Sequence, residues 1–260
     1  MPTTENVAID STASLFVETA GQGPPMVMVG GLGDDHTAYA PLIEGVADRF
    51  TCIAYDNRGS GDSSALPEGS DIGTLAEDGH RLLERLGLTQ VVGIGCSMGG
   101  TVVQEWALRY PDDFSRLVLM STFARPRRHM QALLNHWETL YEAGETKLLV
   151  ESLALLSFSP GFWDLAPGVT EEVLAIDELA PGFLTQLRAC ATHDTVDRLG
   201  EIRHPALVIG GSEDLLISAA NSEELAELLP DATLQIVPTG HVPFWEAPEE
   251  TAAAVIAFCD

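Results

Sequence analysis

The chain has 260 residues, enough to bury a full core as one α/β domain with an insertion or as two small domains. Its apolar fraction of 45%, with 24 Gly and 15 Pro, is that of an ordinary globular protein and argues against disorder. The formal net charge of -26, from 39 acidic and 13 basic residues, argues against nucleic acid or an anionic membrane as a partner.

From the N-terminus, "NVAI" and "SLFVET" are extended segments separated by "DSTA", and are expected to form a hairpin. "PMVMV" (Pro25 to Val29) is a short apolar run ending at Gly30, the signature of a buried strand. A helix is expected from about Tyr39 to Arg49, and a strand at "TCIAY", which ends in the turn-rich "DNRGSGDSS". "TLAEDGHRLLERLG" carries Leu75, Leu82, Leu83 and Leu86 at helical spacing, with Gly87 as its stop. "QVVGIG" predicts a strand, Met98 to about Arg109 a helix ended by Pro111, and "RLVLMS" another strand. After Thr122 the rhythm breaks. As far as about Val196 there are helical patterns and turns such as "FSPGFWDLAPG", without a clear strand. The alternation then resumes with "ALVIGG", "AANSEELAELLP", "TLQIVP" and "APEETAAAVIAFC".

Strands alternating with helices need crossover connections, so the sheet should be mostly parallel with helices on both faces. The expected division is a core of residues 1–121 and 197–260 with a helical insertion at 122–196. "MPTTENVAID" has neither the basic start nor the apolar run of a signal peptide. No apolar run is long enough to span a bilayer. A cytoplasmic protein is therefore expected, with Cys52, Cys96, Cys190 and Cys259 as free thiols. Lys147 is the only lysine beside the arginines. That fits either a halophilic surface or a GC-rich genome with an acidic, soluble surface.

The chemistry centres on "GIGCSMGG" (Gly93 to Gly100), which sets a thiol and a hydroxyl side by side. Gly95-Cys96-Ser97-Met98-Gly99 matches G-x-S-x-G between an apolar strand and a helix, the context this motif needs. A sharp strand-to-helix turn strains its central residue, and side chains two positions before and after would collide. Ser97 has glycine at both positions, whereas Cys96 has Ile94 and Met98. Ser97 is therefore the candidate nucleophile and Cys96 a small buried filler.

A serine hydroxyl needs a base, and the base needs a carboxylate to fix its tautomer. "VIGGSEDLL" places Asp214 after a late strand, with Glu213 as the rival acid. "PTGHVPFWEAPEE" places His241 after the next strand. In a parallel sheet both loops share the carboxyl edge with Ser97. The loop Gly30-Gly31-Leu32-Gly33 follows "PMVMV" on that same edge. It is expected to supply one oxyanion-hole amide, from Leu32, with the other coming from Met98.

On "VMVGGLG", "YDNRGSGDSS", "GIGCSMGG", "LVIGGSEDLLIS" and "PTGHVPFWEAPEE", the chain from about Met26 to Phe258 resembles the α/β-hydrolase family of serine esterases and lactonases. The end of the helical insertion is similar to the family's 3-oxoadipate enol-lactonase-like branch. The resemblance implies an eight-stranded, mostly parallel sheet with a helical cap after the sixth strand, and a triad of Ser97, Asp214 and His241. No cofactor is expected, nor a metal, since no ligand pair has metal spacing. The chain departs from the family in having Gly30-Gly31 where His-Gly is usual, and in having Cys96 before the serine.

Asp56 and Arg58 are expected to brace a loop near the site by ion pairs and turn hydrogen bonds. His36 is a candidate for the site's entrance, and His193 sits where the insertion returns to the sheet. Gly31, Phe123, Trp137, Phe158, Phe162 and Trp163 are candidates to line the substrate pocket, although aromatics in a small insertion more often form its own core. "RPRR" (Arg125 to Arg128) either attracts a carboxylate-bearing substrate or pairs ions at the surface, and surface pairing is favoured. The expected partner is a small ester or lactone, the chain being a monomer or homodimer. C–C bond hydrolysis, perhydrolysis or a hydrolase-fold binding protein with little turnover are the other readings.

Overall fold

The computed structural model describes residues 2–260. Strands β1 (Thr3–Ala8) and β2 (Ser14–Gly21) form the expected antiparallel hairpin, and β3 (Pro25–Val29) follows. Helix α1 (Ala40–Val46), strand β4 (Thr51–Tyr55), helix α2 (Ile72–Leu86), strand β5 (Val91–Cys96), helix α3 (Met98–Arg109) and strand β6 (Phe114–Met120) then alternate. Between β6 and the next strand the chain is helical: α4 (Arg128–Glu142), α5 (Thr146–Ser157), α6 (Pro160–Leu165), α7 (Pro167–Leu174) and α8 (Phe183–Thr192). Strand β7 (Ala206–Gly211), helix α9 (Ala219–Leu228), strand β8 (Ala232–Val237) and helices α10 (Pro243–Glu246) and α11 (Pro248–Cys259) complete the chain.

The eight strands form one sheet in the order β1-β2-β4-β3-β5-β6-β7-β8. β2 pairs antiparallel with β1 and β4, and every other neighbour pair is parallel. Alternation along the strands divides the core into two layers. Met26, Met28, Cys52, Ala54, Val92 and Ile94 pack against α1 and α11 on one face. Val27, Val29, Ile53, Tyr55, Leu117 and Leu119 face the layer of α2 and α3, in which Trp106 is fully buried. That second layer continues into the helical segment through Phe123, Leu134, Trp137 and Phe183.

Local signals explain the element ends. Asp71 accepts the amide of Thr74 at 2.8 Å while Thr74 Oγ1 faces the Asp71 amide, a capping box at the start of α2. Gly87, at φ 67°, closes the same helix in the left-handed region. The helix expected over 39–49 is shorter than its pattern. Asp35 accepts the amide of Thr37 and winds residues 36–39 into a 3₁₀ turn first. α9 stops at Leu228, two residues before Pro230, and α10 is an additional short helix.

Candidate active site

Four loops meet at the carboxyl edge of the parallel strands: residues 30–34 after β3, the turn at Ser97 after β5, residues 212–217 after β7 and residues 238–242 after β8. This is where an open parallel sheet presents its ligand sites. Ser97 lies at the turn between β5 and α3 with φ 55° and ψ −125°, a strained conformation for a residue with a side chain. The flanking glycines meet a steric demand. A Cβ on Gly95 would sit 2.3 Å from the carbonyl oxygen of Gly99, and one on Gly99 would sit 1.9 Å from that of Val29. The first clash crosses the turn as expected. The second is with the neighbouring strand β3, so the turn is also wedged against the sheet.

His241 Nδ1 lies 2.9 Å from Asp214 Oδ2, and both side chains are buried. Asp214 is itself held, since its Oδ1 accepts the amides of Leu216 and Ile217 at 2.9 and 2.8 Å. The rival Glu213 is exposed on the outside of the same loop. The His241 amide donates to Ser157 O at 2.7 Å, tying this loop to the end of α5. Ser97 and His241 face one cavity, although no hydrogen bond joins Ser97 Oγ to the imidazole. Such contacts are often long in ligand-free sites and tighten with substrate.

Leu32 and Met98 line that cavity as well, and among the described residues neither amide has an acceptor. The glycine-rich loop that carries Leu32 is braced from several sides. Asn57 Nδ2 donates to Gly30 O at 3.1 Å, and the Gly31 amide donates to Asp34 Oδ2 at 3.0 Å. The Gly33 amide donates to Gln186 Oε1 at 2.9 Å. Tyr39 OH bridges the two neighbouring strand ends, donating to Val29 O and accepting the Cys96 amide, both at 2.9 Å. These contacts brace the loop with glycine, not histidine, at position 30. Cys96 is buried with its Sγ 3.9 Å from His241 O, and burial holds its thiol well above the usual range. It packs beneath the histidine as a neutral group.

The cavity has a volume of about 530 Å³ and lies between the sheet edge and the helical segment. Of the aromatic candidates, Phe123, Trp137 and Phe158 line it, as does Gly31. Phe162 does not; it stacks behind Phe158 with ring centroids 5.0 Å apart. Trp163 faces a separate shallow groove with Leu155, Pro160 and Leu215. Their helix α6 starts at Pro160 with Ser159 as its cap, which turns Trp163 to the outside. Phe183, Leu134, Met130 and Trp245 also line the cavity, and single apolar residues on amphipathic helices give no sequence signal of that role.

Asp34 is a further cavity residue. The residue is exposed and lines the cavity, with protein packed around it. The resulting desolvation raises its pKa to about 6, partly countered by the Gly31 amide and by His241.

The remaining candidates lie outside the cavity. Asp56 accepts the amides of His36 and Asp62 and the His36 ring, so it braces its turn; Arg58 pairs with Asp78 at 2.6 Å. His36 is thus engaged with Asp56 and absent from the cavity wall. Asp35, His36 and Asp56 lie within 4.8 Å of one another, a spacing a metal ion could use, but these hydrogen bonds already account for them. His193 is buried edge-on to Phe123, and burial lowers its pKa to about 4. Arg127 pairs with Glu224 at 3.3 Å, and none of Arg125, Arg127 and Arg128 reaches the cavity. Among the described residues no helix is long and apolar enough to cross a membrane.

A strained serine turn on a parallel sheet, with a carboxylate two strands away and the histidine it binds three strands away, defines an α/β hydrolase. The chain belongs to that family: its sequence matches the family model described as alpha/beta hydrolase fold over residues 24–156 and 169–248. It is 31% identical over 240 residues to a Caulobacter sp. (strain K31) protein provisionally named carbamate hydrolase RutD, covering 90% of this chain and 89% of that one. It is 29% identical to 3-oxoadipate enol-lactonase 2 of Acinetobacter baylyi, covering 94% of this chain and 92% of that one. Among solved structures, a thermophilic esterase from Thermogutta terrifontis superposes with a TM-score of 0.89 at 26% identity, over 99% of this chain and 98% of that one.

Proposed function

We propose that the protein is a cofactor-independent serine hydrolase that cleaves a carboxylic ester or lactone through an acyl-enzyme on Ser97. The observation that carries this reading is the convergence on one cavity of Ser97, the His241–Asp214 pair and the two unengaged amides of Leu32 and Met98. Ser97 Oγ attacks the carbonyl carbon as His241 Nε2 takes its proton. Asp214 holds the imidazole tautomer and stabilises the imidazolium. The amides of Leu32 and Met98 receive the oxyanion, each contributing about 10²–10³ in rate. The intermediate collapses by breaking the C–O bond, and the imidazolium returns its proton to the departing alkoxide. Water, deprotonated by His241, then attacks the acyl carbon and releases the acid and free Ser97. In a lactone the leaving alcohol stays attached to the acyl group. Helices α4–α8 (the insertion expected over 122–196) serve as a cap that shapes the cavity and excludes water from it.

The named relatives support hydrolysis at an acyl carbon. The test is a panel of chromogenic esters of increasing acyl length with lactones and carbamates beside them, run on wild type and Ser97→Ala. The expected result is turnover of an ester or lactone by wild type, reduced at least about 10⁴-fold in Ser97→Ala. A fluorophosphonate should add to Ser97 in intact-mass spectra. Equal rates in the two proteins, or labelling elsewhere, would overturn the assignment.

A further inference from the structure

The ionisable groups on the cavity wall, apart from His241, share one sign. They are Asp34 on the oxyanion loop, Glu172 on α7 and Glu178 in the segment before α8; among the described residues lining the cavity there is no Lys or Arg. The rest of the wall is largely apolar. Asp34 is the member at the chemistry. An atom placed at the Cβ position of Gly31 would lie 2.8 Å from Asp34 Oδ2 and 3.5 Å from Ser97 Cβ, so the carboxylate and the nucleophile flank the same methyl-sized space. Asp34 Oδ2 accepts the Gly31 amide at 3.0 Å, and among the described residues Oδ1 has no donor. No Arg, Lys or His lies within ion-pair distance of it among those residues. The groups that face it are His241, Asp35 and the neutral Cys96 and Tyr39.

A carboxylate held in a largely apolar cavity without a cationic partner is a costly arrangement unless something charged or hydrogen-bonding completes it. Asp34 is reached by solvent in the open cavity, so a ligand that displaces that solvent has to complete the carboxylate itself. The same charge opposes any substrate that brings a second carboxylate beside the reacting carbonyl, since like charges only a few ångströms apart in a poorly solvated space repel strongly. We propose that Asp34 sets substrate charge: the site takes esters whose acyl or alcohol part carries a protonated amine close to the reacting carbonyl, and turns away anionic ones. Glu172 and Glu178, exposed where they line the cavity, extend the same preference outward by attracting cations. The inference rests on the serine hydrolase reading for its rates but not for its binding.

Two measurements test it. The first compares kcat/KM for three chromogenic esters of equal acyl length ending in methyl, carboxylate or ammonium, at pH 7.5. Wild type is expected to rank ammonium above methyl above carboxylate, with about 100-fold or more between the charged pair. Asp34→Asn keeps an acceptor for the Gly31 amide and should bring the three rates within about 3-fold of one another. A purely structural role for Asp34 would lower all three alike, and that result, or wild-type turnover of the carboxylate ester equal to the methyl one, overturns the proposal. The second measurement needs no turnover. Millimolar benzylammonium, but not benzoate, should raise the Tm of wild type and of Ser97→Ala and leave Asp34→Asn unmoved. If wild type hydrolyses none of the esters yet shows this shift, the hydrolase reading fails while the cation site stands. No benzylammonium shift in either Asp34-bearing protein removes the cation site whatever the rates.

Discussion

At the scale of single residues, two side chains are held in conditions they would avoid elsewhere. Ser97 keeps a positive φ because glycines at 95 and 99 leave no other way for β5 to turn into α3 under the carbonyl of Val29. Asp34 keeps an accessible carboxyl in a largely apolar cavity whose surrounding protein raises its pKa to about 6, with a consequence for stability. In the unfolded chain the group titrates near 3.8, so between about pH 4 and 6 the folded state binds the proton more tightly. The contribution is therefore fully favourable below the lower value and is lost as pH rises through the upper one. Asp34→Asn removes the titration. It should leave the Tm unchanged at pH 4 and raise it at pH 8, as is common when a functional group is removed from a site that strains it. A differential-scanning series across that pH range checks the sign; a variant less stable than wild type at pH 8 would show that the carboxylate's hydrogen bond to Gly31 outweighs its desolvation. That Ser97, Asp214, His241, Leu32 and Met98 meet at one sheet edge was legible in the sequence, because each sits near a strand end marked by glycine. Asp34 was not. "GLGDD" reads as a polar turn, and nothing in it shows that its first aspartate lines the cavity beside Ser97.

At the scale of elements, the helical segment is fastened to the loops around Ser97 and His241 on two sides. The end of α5 accepts the His241 amide through Ser157, and Glu246 beyond β8 accepts the Ser159 amide at 2.9 Å. On the opposite side Gln186 of α8, fully buried, accepts the Gly33 amide and donates to Arg58 O and Ser60 Oγ, both at 3.1 Å. One amide side chain thus ties the oxyanion loop, the loop after β4 and the helical segment together. Gln186→Leu keeps the volume and leaves three polar groups without partners. It should cost about 2–4 kcal/mol in urea unfolding, and, if Leu32 donates to the oxyanion as proposed, kcat should fall about tenfold while KM changes little, because a mispositioned donor matters most in the transition state. A change confined to KM would place Gln186 in substrate binding instead. The parallel strands were readable one by one because short apolar runs alternate faces and end at turn-forming residues such as Gly30, Asp56, Ser121 and Pro238. The segment between β6 and β7 was readable only as helical. Which of its aromatics would reach the cavity depends on how five short helices pack, and Phe162 and Trp163 were misplaced for that reason.

At the scale of the whole molecule, the chain carries a net charge of -26 over a single continuous fold. The positive charges are mostly spent in local pairs, such as Arg58 with Asp78, Arg198 with Glu105 and Arg188 with Glu138 and Glu142. The unpaired acidic excess therefore repels itself across the surface and destabilises the compact state at low ionic strength. Salt relieves this by two distinguishable routes. Debye screening is nearly complete once the screening length, about 10 Å at 0.1 M and 3 Å at 1 M, is shorter than the spacing between surface carboxylates. A surface adapted to concentrated salt keeps gaining stability well beyond that range. The 0% exposure of Val27, Val29, Leu117 and Leu119 describes an ordinary, well-sealed core that does not depend on salt to drive its burial. Screening alone is thus expected to govern: Tm should rise between about 10 mM and 0.3 M NaCl and then flatten. A Tm that climbs steadily to about 3 M KCl, with activity climbing alongside it, would instead assign the acidic surface to a halophile.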